Sequence, residues 1–127
     1  MNITIKNQIQ LDGETELIKQ VYPVQVTEKN DQIYLVYQNE ENEKVIIKCG
    51  IEELVMTRYS TPKSIMRFHK DNPALVAIPT PIGTQHLMTE TDLYHFDIEN
   101  NRVRINYQLK QIETEAVFAD YQLEIQW

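Results

Sequence analysis

The chain has 127 residues, a length that suits a single domain spanning residues 1–127. Twelve basic residues against nineteen acidic ones leave a net charge of −7. This argues against nucleic acid and anionic membranes as partners, because both need a clustered Lys/Arg patch. The basic residues here are scattered and often sit beside acids, as in Glu28-Lys29 and Glu43-Lys44.

No apolar run approaches the ~18 residues of a spanning helix. The start, Met1-Asn2-Ile3-Thr4-Ile5-Lys6, alternates at once and shows no signal-peptide core. Cys49 is a lone cysteine and cannot form an internal disulfide. Together these features lead us to expect a cytoplasmic protein.

Nine valines, fifteen isoleucines and ten threonines against four alanines favour strands over helices. Period-two alternation runs through nearly the whole chain. Ile3, Ile5, Ile9 and Leu11 share one parity, and Asp12-Gly13 then marks a turn. Ile18, Tyr22, Val24 and Val26 share the next phase, and Pro23 predicts an edge position or a bulge there. Lys29-Asn30-Asp31 turns the chain into Ile33–Tyr37, and residues 39–43 form a solvated hairpin loop.

Val45, Ile47, Cys49 and Ile51 are in phase, with a bend expected at Gly50. Leu54, Met56 and Arg58 follow, then Met66 and Phe68, then the turn Asp71-Asn72-Pro73. A short apolar strand, Ala74–Ile78, leads into Pro79-Thr80-Pro81-Ile82-Gly83, read as a tight connection or a lid. In the stretch from Gln85 to Ile98, Leu87, Thr89 and Thr91 have one parity and Tyr94, Phe96 and Ile98 the other. A bulge near Asp92 would switch the faces. Val103, Ile105, Tyr107 and Leu109 alternate after a turn at Glu99-Asn100-Asn101. Val117 to Trp127 closes the chain with the longest strict alternation. Lys110–Phe118 is the best helical candidate, but it lacks a cap and a 3.6-residue pattern and reads as strand or loop.

About eight to ten strands joined by short turns, each with one apolar face, must curl to cover that face. A single antiparallel up-and-down β-barrel does so and removes the edges, and a two-sheet sandwich is the alternative.

The order of motifs resembles the YwiB-like family of small bacterial proteins. The pieces are Gln10-Leu11-Asp12-Gly13-Glu14, Ile33-Tyr34-Leu35-Val36-Tyr37, Glu53-Leu54-Val55-Met56-Thr57-Arg58, Met66-Arg67-Phe68, Thr80-Pro81-Ile82-Gly83, Thr89 with Thr91, and Val103–Leu109. Tyr59-Ser60 and His69-Lys70 stand where the family pattern tends to place glycine. The resemblance implies an all-β, calycin or lipocalin-like barrel and a domain of unknown function. It implies no activity.

Chemistry-bearing motifs are sparse. Two serines, Ser60 and Ser64, lie in no nucleophile elbow, and Cys49 sits mid-strand on an apolar phase. His69, His86 and His95 come from three segments without metal-ligand spacing, and three isolated glycines make no phosphate cradle. We therefore expect no cofactor, no metal and no catalytic residue.

The informative signal is polar residues in inward phases. These are Arg58 beyond Leu54 and Met56, Tyr107 among Val103, Ile105 and Leu109, and Thr89 and Thr91 beyond Leu87. Thr80 belongs with them if its segment is a lid. An inward arginine could hold a ligand carboxylate or phosphate in bidentate fashion, or tie down one barrel end. The bulky inward residues predict a filled core or small pocket rather than a lipocalin-sized cavity. The leading expectation is a barrel that binds an anionic or amphipathic small molecule through Arg58, Tyr107, Thr89, Thr91 and Thr80. The alternative is a protein-interaction or structural module with no ligand. An enzyme ranks third, and a monomer or weak dimer is expected.

Overall fold

The alternation folds into eleven antiparallel strands in one sheet, seen in a computed structural model that describes residues Met1–Trp127. In chain order these are β1 (Asn2–Leu11), β2 (Glu14–Pro23), β3 (Gln25–Lys29), β4 (Gln32–Gln38), β5 (Lys44–Cys49), β6 (Glu53–Arg58), β7 (Ser64–His69), β8 (Ala74–Thr80), β9 (Gly83–Asp97), β10 (Arg102–Gln111) and β11 (Val117–Gln126). The spatial order is β2-β1-β11-β10-β9-β8-β7-β6-β5-β4-β3, a meander curled until its two ends nearly meet. The strand count is one above the expected range. The region from Lys110 to Phe118 is strand and turn, as its missing cap and period implied.

Local chemistry fixes the hairpins. Asp12 and Gly13 both take positive φ, 51° and 79°, and Asn30 and Asp31 take 54° and 62°. Two consecutive left-handed residues make the tight turn whose twist matches the flanking strands. At the bulge in β9, Asn106 faces Leu93 while Tyr107 faces Thr91, leaving Asp92 unpaired. The extra residue moves Thr91, Thr89 and Leu87 onto the inward face that Tyr94 and Phe96 occupy farther along.

The inward phases pack one main core. It includes Ile3, Ile5, Leu35, Ile47, Leu54, Phe68, Val103, Ile105, Leu123 and Ile125, with Cys49 as a small buried member. Burial pushes the Cys49 thiol up to about 12, so it is inert as a nucleophile at neutral pH. Val76, Leu87 and Leu109 form a satellite cluster. No helix is long and apolar enough to cross a membrane.

The ends of the sheet, β2 and β3, are consecutive in sequence. One segment, residues 14–29, therefore runs along β1 and then, past Pro23, along β4. At the crossing the Val24 N–H donates to the Met1 carbonyl at 3.0 Å. The outer edge of β2 has no ladder partner, which suits an edge strand ending in proline. Side chains close this seam: Tyr22 of β2 stacks on Tyr37 of β4, with centroids 4.9 Å apart and planes 14° apart.

Candidate functional site

Inside the barrel, beneath β2, lies a cavity of about 280 Å³. It has room for roughly nine waters at about 30 Å³ each. β1 contributes Ile5 and Asn7, and β2 contributes Ile18 and Gln20. Tyr37, Met56, Met66 and Phe68 face them from β4, β6 and β7, and Tyr107 and Leu123 complete the wall. The pairings Ile5–Gln20, Asn7–Ile18, Asn7–Leu123 and Met56–Met66 put these side chains on one continuous inward face. Eight of the ten lining residues are hydrophobic, and none is Lys, Arg, His, Asp or Glu.

Two polar groups matter here. Tyr107 is 5% exposed and sandwiched, with Phe68 at 4.5 Å and Tyr121 at 4.6 Å between ring centroids. Burial drives its phenol well above the usual tyrosine value, outweighing the opposing effect of the nearby Asn7 side chain. The hydroxyl is therefore protonated at any physiological pH. Asn7 Oδ1 is buried and has no hydrogen-bond partner. A buried acceptor left unpaired costs about 1–3 kcal/mol, so a retained one calls for a reason.

Around Tyr37 the cavity meets the rim. Tyr22 donates its hydroxyl to Glu40 Oε2 across the seam. Burial first, then this bond and the adjacent carboxylate charge, push the Tyr22 phenol up to about 12, while the same bond holds Glu40 below its usual value. Burial also raises Tyr37, with Tyr22 and Glu40 adding to the effect.

Arg58 lies outside this cavity. It keeps the inward phase, opposite Val45, but as the last residue of β6 it stands at the rim and not in the lumen. Its side chain is 45% exposed and its Nε lies 3.8 Å from Glu43 Oε1. Water and a partner carboxylate are available there, so the guanidinium has no reason to bend inward.

The threonines are also placed apart from the cavity. Thr80 sits at the tip of the β8–β9 hairpin and donates to the Gly83 carbonyl at 2.5 Å, which makes the segment a tight connection rather than a lid. Thr89 is fully buried and donates to the Arg67 carbonyl at 2.5 Å. The β7–β8 ladder pairs only Ile65 with Ala77, and the hydroxyl satisfies a carbonyl near where that ladder gives out. Thr91 faces Tyr107 but does not line the cavity, and its buried Oγ1 has no partner. Of the five expected residues, the cavity includes Tyr107 alone.

Asn7 was missed. It holds the same parity as Ile3, Ile5, Ile9 and Leu11, and is thus a polar residue in an apolar phase, the signal that singles out Tyr107. Elsewhere, no group of three or more His, Cys, Asp or Glu residues converges to hold a metal.

The architecture defines an all-β barrel protein with a small, mostly apolar lumen. By sequence, residues 3–125 match the model of a domain of unknown function, DUF1934, and the chain belongs to that family. The fold is similar to the crystal structure of the ywiB protein from Bacillus subtilis. The TM-score is 0.79 at 22% identity, covering 98% of this chain and 87% of that one. No curated protein matches significantly.

Proposed function

We propose that this protein is a cytoplasmic, calycin-like barrel that binds one small amphipathic molecule in the lumen cavity. The observation that carries the reading is the cavity itself. It is near the lower end of ligand-pocket sizes, lined by apolar and aromatic side chains, and holds a few convergent polar groups. Phe68 and Tyr107, the latter backed by Tyr121, make one rigid wall, while Met56 and Met66 supply an adaptable one. A monomer or weak dimer would serve this role.

Methyl-resolved NMR against a small-molecule library tests it, with Met56 and Met66 as reporters. Binding moves both methyl signals together and saturably, and raises the melting temperature by mass action. If every compound leaves both methyls in place, the lumen is not a ligand site.

A second reading, a protein-interaction module, draws on the unpaired edge of β2. Leu17 and Val21 stand there 69% and 52% exposed. An open edge is a template for an added strand. Leu17→Lys would abolish self-association or partner capture if the edge were the working surface, and would leave lumen binding unchanged.

A further inference from the structure

We propose that the free edge of β2 takes up an extended segment of another protein whose outward side chains run apolar, acidic, apolar, with the acid seated on Lys19 and Lys6. The inference rests on the second reading above, in which that edge is the working surface, and names the chemistry of its partner.

The hydrogen-bonding groups of this edge are unspent. The two-residue turn at Asp12-Gly13 makes Leu11 and Glu14 a hydrogen-bonded pair, and the same alternation reaches Val24, whose N–H donates to the Met1 carbonyl. The even-numbered residues of β2 therefore spend their N–H and C=O groups on β1. Those of Thr15, Leu17, Lys19 and Val21 point the other way, toward no strand. Glu14 to Lys19 are exposed without a break, Ile18 of the inward phase included. The stack of Tyr22 on Tyr37 closes the far end, so the stretch from Thr15 to Val21 is free to pair.

The outward face carries the second observation. Lys19 stands directly opposite Lys6 in a non-hydrogen-bonded pair, where side chains come closest. Like charges so placed repel. Lys6 has Glu124 on its other side, but that carboxylate lies 3.9 Å from Arg104 Nε, and neither lysine forms an ion pair. A carboxylate arriving between the two ammonium groups relieves their repulsion and adds a charge-assisted hydrogen bond. Leu17 and Val21, exposed on either side of Lys19, offer apolar surface to the residues two positions away from that acid. On the inward side the added strand lies beside Ile18 and Gln20 of the lumen wall.

This chain does not supply such a segment from its own edges. The outward residues of β2 are Thr15, Leu17, Lys19 and Val21, and those of β3, the other edge, are Gln25, Thr27 and Lys29. None is acidic, so edge-to-edge pairing of two copies brings no carboxylate to Lys19. Nucleic acid carries phosphates but has no backbone amides to complete the ladder.

The probe is the capped peptide acetyl-Val-Thr-Glu-Ile-Val-Thr-Thr-amide, written to run antiparallel from Val21 to Thr15 with its glutamate opposite Lys19. It is titrated into the protein by NMR beside versions with glutamine or lysine in place of the glutamate. Binding should shift the backbone amides of Leu17, Lys19 and Val21. The glutamate peptide should bind about tenfold tighter than the glutamine peptide, a margin that shrinks as salt rises, and the lysine peptide should bind most weakly. Lys19→Glu, an exposed substitution checked by an unchanged circular dichroism spectrum, should invert the order. N-methylation of the glutamate amide, which faces Lys19, should abolish binding, whereas N-methylation of the isoleucine amide, which faces away, should not. If the glutamine or lysine peptide binds as tightly, the acid assignment is wrong while the edge remains a docking surface. If both N-methyl peptides bind alike, or a single-stranded oligonucleotide outcompetes the peptide, charge alone holds the partner and the strand pairing is wrong. If two copies pair through β2 in ultracentrifugation, the occupant is this chain itself and the proposal is overturned. If no version binds at millimolar concentration, the edge reading falls with it.

Discussion

Replacing Asn7 by leucine should make the free protein more stable, an uncommon direction for a substitution inside a barrel. The unpaired Oδ1 costs about 1–3 kcal/mol of desolvation. Leucine removes that cost and packs against Leu123 and Ile18, which face position 7 on the two neighbouring strands. Against this, leucine gives up the polar contact of Asn7 with the Tyr107 hydroxyl, worth at most about 0.5–1.5 kcal/mol. The net is a gain of about 1 kcal/mol, or roughly 3–5 °C in Tm for a domain of this size.

Urea unfolding followed by the fluorescence of Trp127, the sole tryptophan, should show a higher midpoint at an unchanged slope. Asn7→Asp supplies the opposite case. A carboxyl in this dry position has its folded pKa raised above the unfolded value. The variant should therefore be most stable below about pH 4 and lose stability as pH rises, since the unfolded chain ionises first. A midpoint for Asn7→Leu at or below that of the natural protein would refute the reasoning, because it would mean Oδ1 is already satisfied.

Thr89→Val keeps the shape but strands the Arg67 carbonyl, and should cost about 1–3 kcal/mol in the same urea assay without altering lumen binding. Arg58→Ala should cost under about 1 kcal/mol, because its ion pair with Glu43 is half exposed. A calorimetric loss of lumen affinity in that variant would return the arginine to the site. Tyr37, Tyr94 and Tyr107 have phenols raised chiefly by burial, so their contribution to stability is complete below the unfolded value near pH 10 and declines above it. In an alkaline titration, tyrosinate absorbance from these three should rise together with loss of the sheet's circular dichroism. Their ionisation in an intact sheet would contradict the burial assigned to them.

The bulge at Asp92 was legible because faces alternate strictly. When apolar parity switches between Thr91 and Tyr94, one residue must drop out of register. Tyr107 was legible for the same reason. Arg58 shows where the rule stops. Parity tells which face a residue occupies but not how far along the tube it lies, and a strand's last residue can be inward by phase and wet by position. Cross-strand register sets that depth, and register depends on partners distant in sequence. The pairing of β1 with β11, which joins the two ends of the chain, is the largest such dependence. Asn7 had the right phase, but asparagine among Ile3, Ile5 and Ile9 reads as an interruption of the pattern until the wall around it is seen.

The seam beside β2 is a door in an otherwise zippered cylinder. Around most of the wall, parting two neighbours means breaking many ladder bonds, β7 and β8 with their single pairing excepted, whereas here the closure is a pair of stacked rings and a phenol clasping a carboxylate. The cylinder is therefore held across this gap by side chains alone, while β2 stays laced to β1 along its full length.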